Sequence, residues 1–301
     1  YKQAPGHQGF RFDTDPGITL EEDLSRRDLT INAIAKAPDG TLIDPYGGQK
    51  DLADRLLRHV SDAFTEDPLR ILRLAQFQAR LKGLGFRVHD LTTQLCREMV
   101  ARGDLDTLSR ERVFKELEKA LSAPHPSEFF AVLASVNALA QLFQGVELAE
   151  TKNLDGPATD TSPPSRFSQL VLENPDLDLQ GLNKQLAIPK HWLELASMTR
   201  TWAAAFCQVT TLSADAILAV LERGDARRKP ERFAQSVHIS CQSLIIDSAE
   251  QTQILGLWQR LVQETAKVSL PETASGLSGQ DIKAMIRAEQ LRRIEATCDR
   301  N

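Results

Sequence analysis

Four cysteines are thinly spread over 301 residues, at Cys96, Cys207, Cys241 and Cys298. None forms a CxxC pair, which argues against a disulfide framework and a thiolate metal site. Reduced thiols in the cytoplasm are expected. The six histidines, His7, His59, His89, His125, His191 and His238, are scattered. His89-Asp90 is a lone pair with no further His cluster beside it. No apolar run is long enough to cross a membrane, and no stretch of the sequence reads as a signal peptide. Positive charge is not in excess. A net charge of -5 does not mark a nucleic-acid binder, although a local basic face can hide inside an acidic total. No internal repeat of fixed period occurs. The chain opens on Tyr1 rather than Met, in a polar Gly/Pro segment, so it is expected to start inside a longer protein.

Aromatic residues reach only 6%, and Leu and Ala dominate what remains, which indicates a mostly α protein. The length allows one large domain or two to three modules. Residues 1–17 read as loop, with a possible short strand at Phe10-Arg11-Phe12-Asp13. Thr19 and Glu22 form a capping-box pattern, opening a helix expected to run to about Ala37. Thr41–Asp44 reads as a short strand, followed by a Pro45-Tyr46-Gly47-Gly48 turn. From Glu66 a period near 3.6 predicts helices near 66–82, 90–102, 109–122 and 126–143. After a Pro/Gly/Ser-rich interval, further helices are expected near 166–173, 180–187, 189–206, 213–223, 229–246, 249–265 and 280–296.

The most informative stretch is Thr65-Glu66-Asp67-Pro68-Leu69-Arg70-Ile71-Leu72-Arg73. Asp67 is a good helix N-cap, and Pro68 suits the first helical position. Arg70 then lies one turn on. Arg70, Arg73, Gln76 and Arg80 share a polar stripe, opposite Ile71, Leu72, Leu74, Ala75, Ala79 and Leu81. A bare Asp–Arg pair at this spacing contributes only about 0.2–0.5 kcal/mol. Its neighbours raise its interest. In Arg26-Arg27-Asp28-Leu29-Thr30-Ile31-Asn32-Ala33, the residues Asp28 and Asn32 fall on one helix face beside two cations. Such a group can hold phosphates and a ribose hydroxyl, or can simply be a solvated helix end. Ile43-Asp44-Pro45-Tyr46-Gly47-Gly48 reads as a tight turn needing glycine dihedrals. Arg112 and Glu116, spaced i,i+4 after Ser109, are expected to form an ion pair bracing the helix after Asp67.

In order and spacing, RRDLTINA (26–33), IDPYGG with DL after it (43–52), LLRHVSDAFTEDPLRILRLAQF (56–77) and SRERVFKELEKAL (109–121) resemble the bacterial CCA-adding enzymes. These are tRNA nucleotidyltransferases of the class II polymerase-β-like superfamily. The likeness is strong over residues 1–145 and traceable to the end, where Arg228-Lys229-Pro230 and Gly276-x-x-Gly279-x-x-Ile282 resemble the body and tail. The resemblance implies a mostly α fold, with the remnant of an α/β nucleotidyltransferase head followed by helical neck, body and tail. The expected parts are head at 1–52, neck with the nucleotide-selecting motif at 53–145, linker at 146–165, and a tRNA-binding body and tail at 166–301. It further implies addition of CCA to tRNA 3′ ends from CTP and ATP without a nucleic-acid template. The partners are then tRNA, CTP and ATP, with no membrane and no protein partner indicated.

The residue chemistry agrees with that activity. Cytosine and adenine each present an exocyclic amine donor beside a ring-nitrogen acceptor. A carboxylate accepts from the amine, and a guanidinium donates to the ring nitrogen. Asp67 and Arg70 would form an amino-acid template for both, while guanine and uracil leave the pair unmatched. By resemblance Arg27 and Asp28 would meet the ribose and triphosphate, and Arg73 the phosphates or base; Asn32 is a further nucleotide-binding candidate beside them. The family often carries another arginine where this chain has Gln76. It also uses Mg²⁺ held by a D-x-D pair on a strand, after a Gly-Gly-x-x-Arg-Asp loop. Neither element is found in this context. Asp13-Thr14-Asp15 matches D-x-D only literally, ahead of Pro16-Gly17. No catalytic residue and no metal ligand is therefore assigned, and this chain alone is expected to be inactive. Bacterial poly(A) polymerases share RRD-x-x-INA and EDP-x-R, but the shorter spacing to Glu66 and the lack of a basic C-terminal tail favour CCA addition. A non-catalytic RNA-binding helical module is the remaining alternative.

Overall fold

In a computed structural model, the described residues are 18–156, 160–244, 247–269 and 278–299. The 10–13 strand, the Asp13-Thr14-Asp15 triplet and the start of the Gly276 motif lie outside them. The chain divides into two compact units. Unit 1 takes residues 1–163 and 176–188, and unit 2 takes 164–175 and 189–301.

Unit 1 opens with α1 (Leu20–Ser25), where Thr19 and Glu22 form the expected capping box. The helix does not continue to Ala37. Leu29 instead makes an antiparallel bridge to His59, and the Thr30 amide donates to the Arg58 carbonyl at 2.9 Å. Those contacts pull the chain out of helical geometry, leaving one 3-10 turn at Thr30–Asn32. β1 (Ala35–Lys36) then pairs antiparallel with β2 (Leu42–Ile43), the strand expected near residue 42.

The Asp44–Gly48 turn starts α2 (Gly48–Ala53), with both Asp44 oxygens accepting from the Gly48 and Gln49 amides. Gly47 is left-handed at φ 70°, and a Cβ on Gly48 would sit 2.2 Å from the Thr30 carbonyl oxygen. Glycine is thus required twice, once for its dihedrals and once for its lack of side chain. Buried Asp51 accepts from the Thr30 hydroxyl at 2.7 Å and from Arg58 Nε at 3.0 Å, pinning the 3-10 turn to α2. β3 (Leu56–Leu57) pairs parallel with β4 (Arg87–Val88).

The centre of unit 1 is α3 (Leu69–Leu81). Its buried face, including Ile71, Leu72, Leu74, Ala75 and Ala79, packs on α5 (Arg110–Leu121) and α6 (Ser127–Ser135). Burying each large aliphatic side chain contributes about 1.5–3 kcal/mol, so this face dominates the local energetics. Gln76 was expected on the polar stripe and is instead 9% exposed. Between β4 and α5 lies α4 (Asp90–Ala101).

The long helix expected over 126–143 breaks at Asn137, which is left-handed at φ 62°. Asn tolerates that region, and the Ala138 amide closes the end onto the Leu133 carbonyl. The four-residue α7 (Leu139–Leu142) follows. Phe129, Phe130 and Phe143 then meet edge to face at 5.3–5.9 Å. Residues 148–155, inside the expected linker, form a 3-10 segment that buries Thr151 and Leu154. α8 (Pro163–Glu173) begins at its end, and α9 (Leu179–Leu186) returns to unit 1.

In unit 2, α10 (Lys190–Cys207), α11 (Ala214–Arg223), α12 (Pro230–Ser243), α13 (Ser248–Ala266) and α14 (Gly279–Cys298) follow the predicted periods closely. Phe206, Phe233 and Trp258 form a three-ring core with centroids 5.3–5.7 Å apart. The Trp258 indole N–H donates to the Phe206 carbonyl at 2.9 Å, so the buried polar atom is satisfied. Among the described residues no helix is long and apolar enough to cross a membrane.

Candidate nucleotide site

A cleft of about 610 Å³ opens in unit 1 along the start of α3. Six arginines line it (Arg26, Arg27, Arg70, Arg73, Arg80 and Arg112), together with two carboxylates, Asp28 and Asp67. In a chain of net charge -5 this is a concentrated positive field, suited to a polyanion.

Asp67 sits in an extended conformation just before α3. Its Oδ1 accepts from the Leu69 amide at 3.2 Å, so it caps the helix from one residue further out than expected. Its Oδ2 accepts from Arg112 Nη2 at 2.6 Å. This corrects the expected Arg112–Glu116 pair: buried Glu116 binds Lys119 at 2.7 Å instead. Arg112 spans from α5 to the residue before α3 and braces the motif through Asp67 itself.

Arg70 and Asp67 are neighbours, but the ion pair on Asp67 belongs to Arg112. The Arg70 guanidinium donates from Nη1 to the Ala63 carbonyl at 2.5 Å and from Nη2 to the Arg26 carbonyl. Burial pulls its pKa down, opposed by Asp67 and Asp28. An arginine nonetheless remains a cation in a protein. Three of its five N–H donors stay available, and their direction is set by two backbone anchors.

Asp28 is 7% exposed and lies beyond α1, so it reaches Asn32 through a turn and not along a helix face. Its Oδ1 accepts from Asn32 Nδ2 at 3.0 Å and from the Leu29 amide at 2.9 Å. Its Oδ2 accepts from Arg73 Nε at 2.8 Å. Burial works to raise the Asp28 pKa, but Asn32, Arg73 and the Leu29 amide outweigh it and hold the carboxyl below its ordinary value. Arg27 stands at the rim, paired with exposed Asp23 at 2.9 Å. All the nucleotide-binding candidates (Arg27, Asp28, Asn32, Asp67, Arg70 and Arg73) thus line one cleft, as does Arg112. Glu116 is not among the lining residues.

Phe77 and Arg80 also line the cleft without having been assigned to it. Phe77 lies within the polar stripe of α3, four residues after Arg73 and three before Arg80. That spacing is the sequence signal for its role: Arg73 and Arg80 lie against its ring, at 5.8 and 4.7 Å from the centroid.

Residues 3–58 match the family described as Poly A polymerase head domain, and residues 85–149 match Probable RNA and SrmB- binding site of polymerase A. The Multifunctional CCA protein of Pseudomonas putida is 39% identical over 300 residues, covering 98% of this chain and 81% of that protein. The chain belongs to the CCA-adding enzyme family. The CCA-adding enzyme of Coxiella burnetii is 36% identical over 300 residues, covering 98% of this chain and 77% of that one. The fold agrees with the solved Bacillus stearothermophilus CCA-adding enzyme in complex with CTP, at a TM-score of 0.68 and 21% identity. That superposition covers 92% of this chain and 70% of that one.

CCA-adding enzymes are nucleotidyltransferases, a class that generally uses a divalent metal. Among the described residues no three His, Cys, Asp or Glu side chains converge as ligands. Asp28 and Asp67 are each committed to an arginine. These residues therefore do not fit a metal ion.

Proposed function

We propose that this chain selects CTP and ATP for addition of CCA to tRNA 3′ ends, using its own side chains in place of a nucleic-acid template. The supporting observation is the arrangement of Asp67 and Arg70. Each is oriented by partners other than the other, Asp67 by the Leu69 amide and Arg112, and Arg70 by two carbonyls. The carboxylate keeps lone pairs for an exocyclic amine, and the guanidinium keeps donors for a ring nitrogen. A base with the opposite pattern would leave both groups desolvated and unpaired, a penalty that can reach four to five orders of magnitude in selection.

On this reading Asp28, held ionised, accepts from a ribose hydroxyl, Asn32 orients it, and Arg27 and Arg73 meet phosphates. Arg112 is a positioning residue. The parts are a head at 1–52, a neck at 53–145, a linker at 146–165 and a tRNA-binding body and tail at 166–301. The metal of the full reaction is Mg²⁺, and the compartment is the cytoplasm. The experiment is incubation of the full-length protein with tRNA lacking CCA, plus CTP and ATP. Restoration of the CCA end supports the reading. Long A tails without use of CTP would identify a poly(A) polymerase, and tRNA binding without turnover a non-catalytic module.

A further inference from the structure

Four of the six arginines in the cleft have polar partners within the protein. Arg27 binds Asp23, Arg73 binds Asp28, Arg112 binds Asp67, and Arg70 binds two carbonyls. Arg26 is also engaged. Arg80 differs. Among the described residues its side chain has neither a hydrogen bond nor an ion pair, and it lies against the Phe77 ring, 4.7 Å from its Cζ. It is exposed, whereas Phe77 is 8% exposed and cannot itself accept a stacked ligand.

A ring under a guanidinium restrains its orientation while leaving its in-plane donors unused. Arg80 lies ten residues beyond Arg70 on the same helix, about 15 Å along the axis. Both ends of that span line the same cleft, and the separation is one that a nucleoside triphosphate or an adjoining RNA strand can bridge. A fixed, fully charged fork with no internal partner is complementary to a phosphate.

We propose that Arg80, held on Phe77, is a phosphate-binding residue of this cleft, taking a phosphate of either the nucleoside triphosphate or the RNA 3′ strand. The inference rests on the reading of the cleft as a nucleotide site. Its test uses the full-length protein and compares Arg80→Ala and Arg80→Lys with the unaltered chain. Two binding series are run, one with CTP and one with a single-stranded RNA ending in CC, each over a range of salt.

Arg80→Ala is expected to weaken one of the two by about tenfold or more. Loss confined to CTP identifies the triphosphate as the source. Loss confined to RNA, with the logarithmic salt slope falling by about 0.7, identifies a strand phosphate. Arg80→Lys should restore part of the affinity, because the charge returns without the fork. A packing role alone would shift the melting temperature but not the salt slope. Unchanged CTP and RNA affinity and unchanged salt slopes in Arg80→Ala would overturn the proposal. Failure of the unaltered protein to add C and A would defeat the functional reading instead, and the binding series would still decide the role of Arg80.

Discussion

Arg112 on α5 and Asp67 before α3 meet at 2.6 Å across 45 residues of sequence, with side chains only 20% and 15% exposed. The carboxylate that caps the central helix is thereby held from outside that helix. Removing Arg112 would leave Asp67 half-buried without its cation, at a cost of about 1–3 kcal/mol. Arg112→Ala is expected to lower stability by that amount and to relax discrimination of CTP and ATP against UTP and GTP. A double-mutant cycle with Asp67→Asn, read by denaturant midpoints, should show a coupling energy of 0.5 kcal/mol or more, on the scale of about 0.5–3 kcal/mol for contacting residues. Additive effects would contradict the brace.

Arg70 tests the template directly. Arg70→Lys keeps a cation but cannot reach the Ala63 and Arg26 carbonyls while also offering a directed donor to a base. Incorporation ratios of cytidine over uridine should drop by roughly a hundredfold or more in Arg70→Ala, and substantially in Arg70→Lys. Full selectivity in both variants would remove Arg70 from base recognition.

Acidification should destabilise unit 1 in two steps with one sign. His59 is pushed below its ordinary pKa chiefly by burial, with His89 and Arg58 adding to this and Asp62 opposing it. The unfolded chain therefore takes up the proton first, so stability that is full above about pH 6.5 falls as pH drops through that value. Asp28 is held below its ordinary value by Asn32, Arg73 and the Leu29 amide, so its contribution is lost only at still lower pH. Urea midpoints measured from pH 8 to pH 3 should show both steps. His59→Gln should flatten the first and Asp28→Asn the second.

Gly48→Ala is expected to damage the site from a distance. The new methyl would fall 2.2 Å from the Thr30 carbonyl oxygen, which is backbone and cannot swing away. Relief requires displacing the 3-10 turn that Thr30 and Asp51 anchor, and with it Asn32 and its contact to Asp28. A loss of about 1–3 kcal/mol in stability is expected, with weakened nucleotide binding. Gly47→Ala strains only the left-handed φ and should cost less.

Local signals in the chain were enough to place the major helices. The 3.6-residue period located α3, α4, α5 and the helices of unit 2 to within a few residues, because an apolar stripe must find a core whatever its partner is. The Thr19–Glu22 box, the Asp67 cap and the Gly47-Gly48 turn are likewise short-range, and their chemistry is complete within five residues. The ordered motifs also named Arg27, Asp28, Asn32, Asp67, Arg70 and Arg73, which line one cleft.

What the sequence alone could not supply is which charge meets which. Arg112 has Glu116 one turn away, yet it binds Asp67. Arg73 reaches back 45 residues to Asp28, and Arg70 is satisfied by carbonyls that carry no side-chain signature. The helix expected to run to Ala37 ended at Ser25 because Leu29 and Thr30 found backbone partners in residues 58–59. Long-range pairing outweighs a few tenths of a kcal/mol of i,i+4 preference once the groups are partly desolvated. Tertiary structure therefore decided the partners of the Asp67–Arg70 motif, and among the described residues it left the Arg80 guanidinium with the Phe77 ring alone.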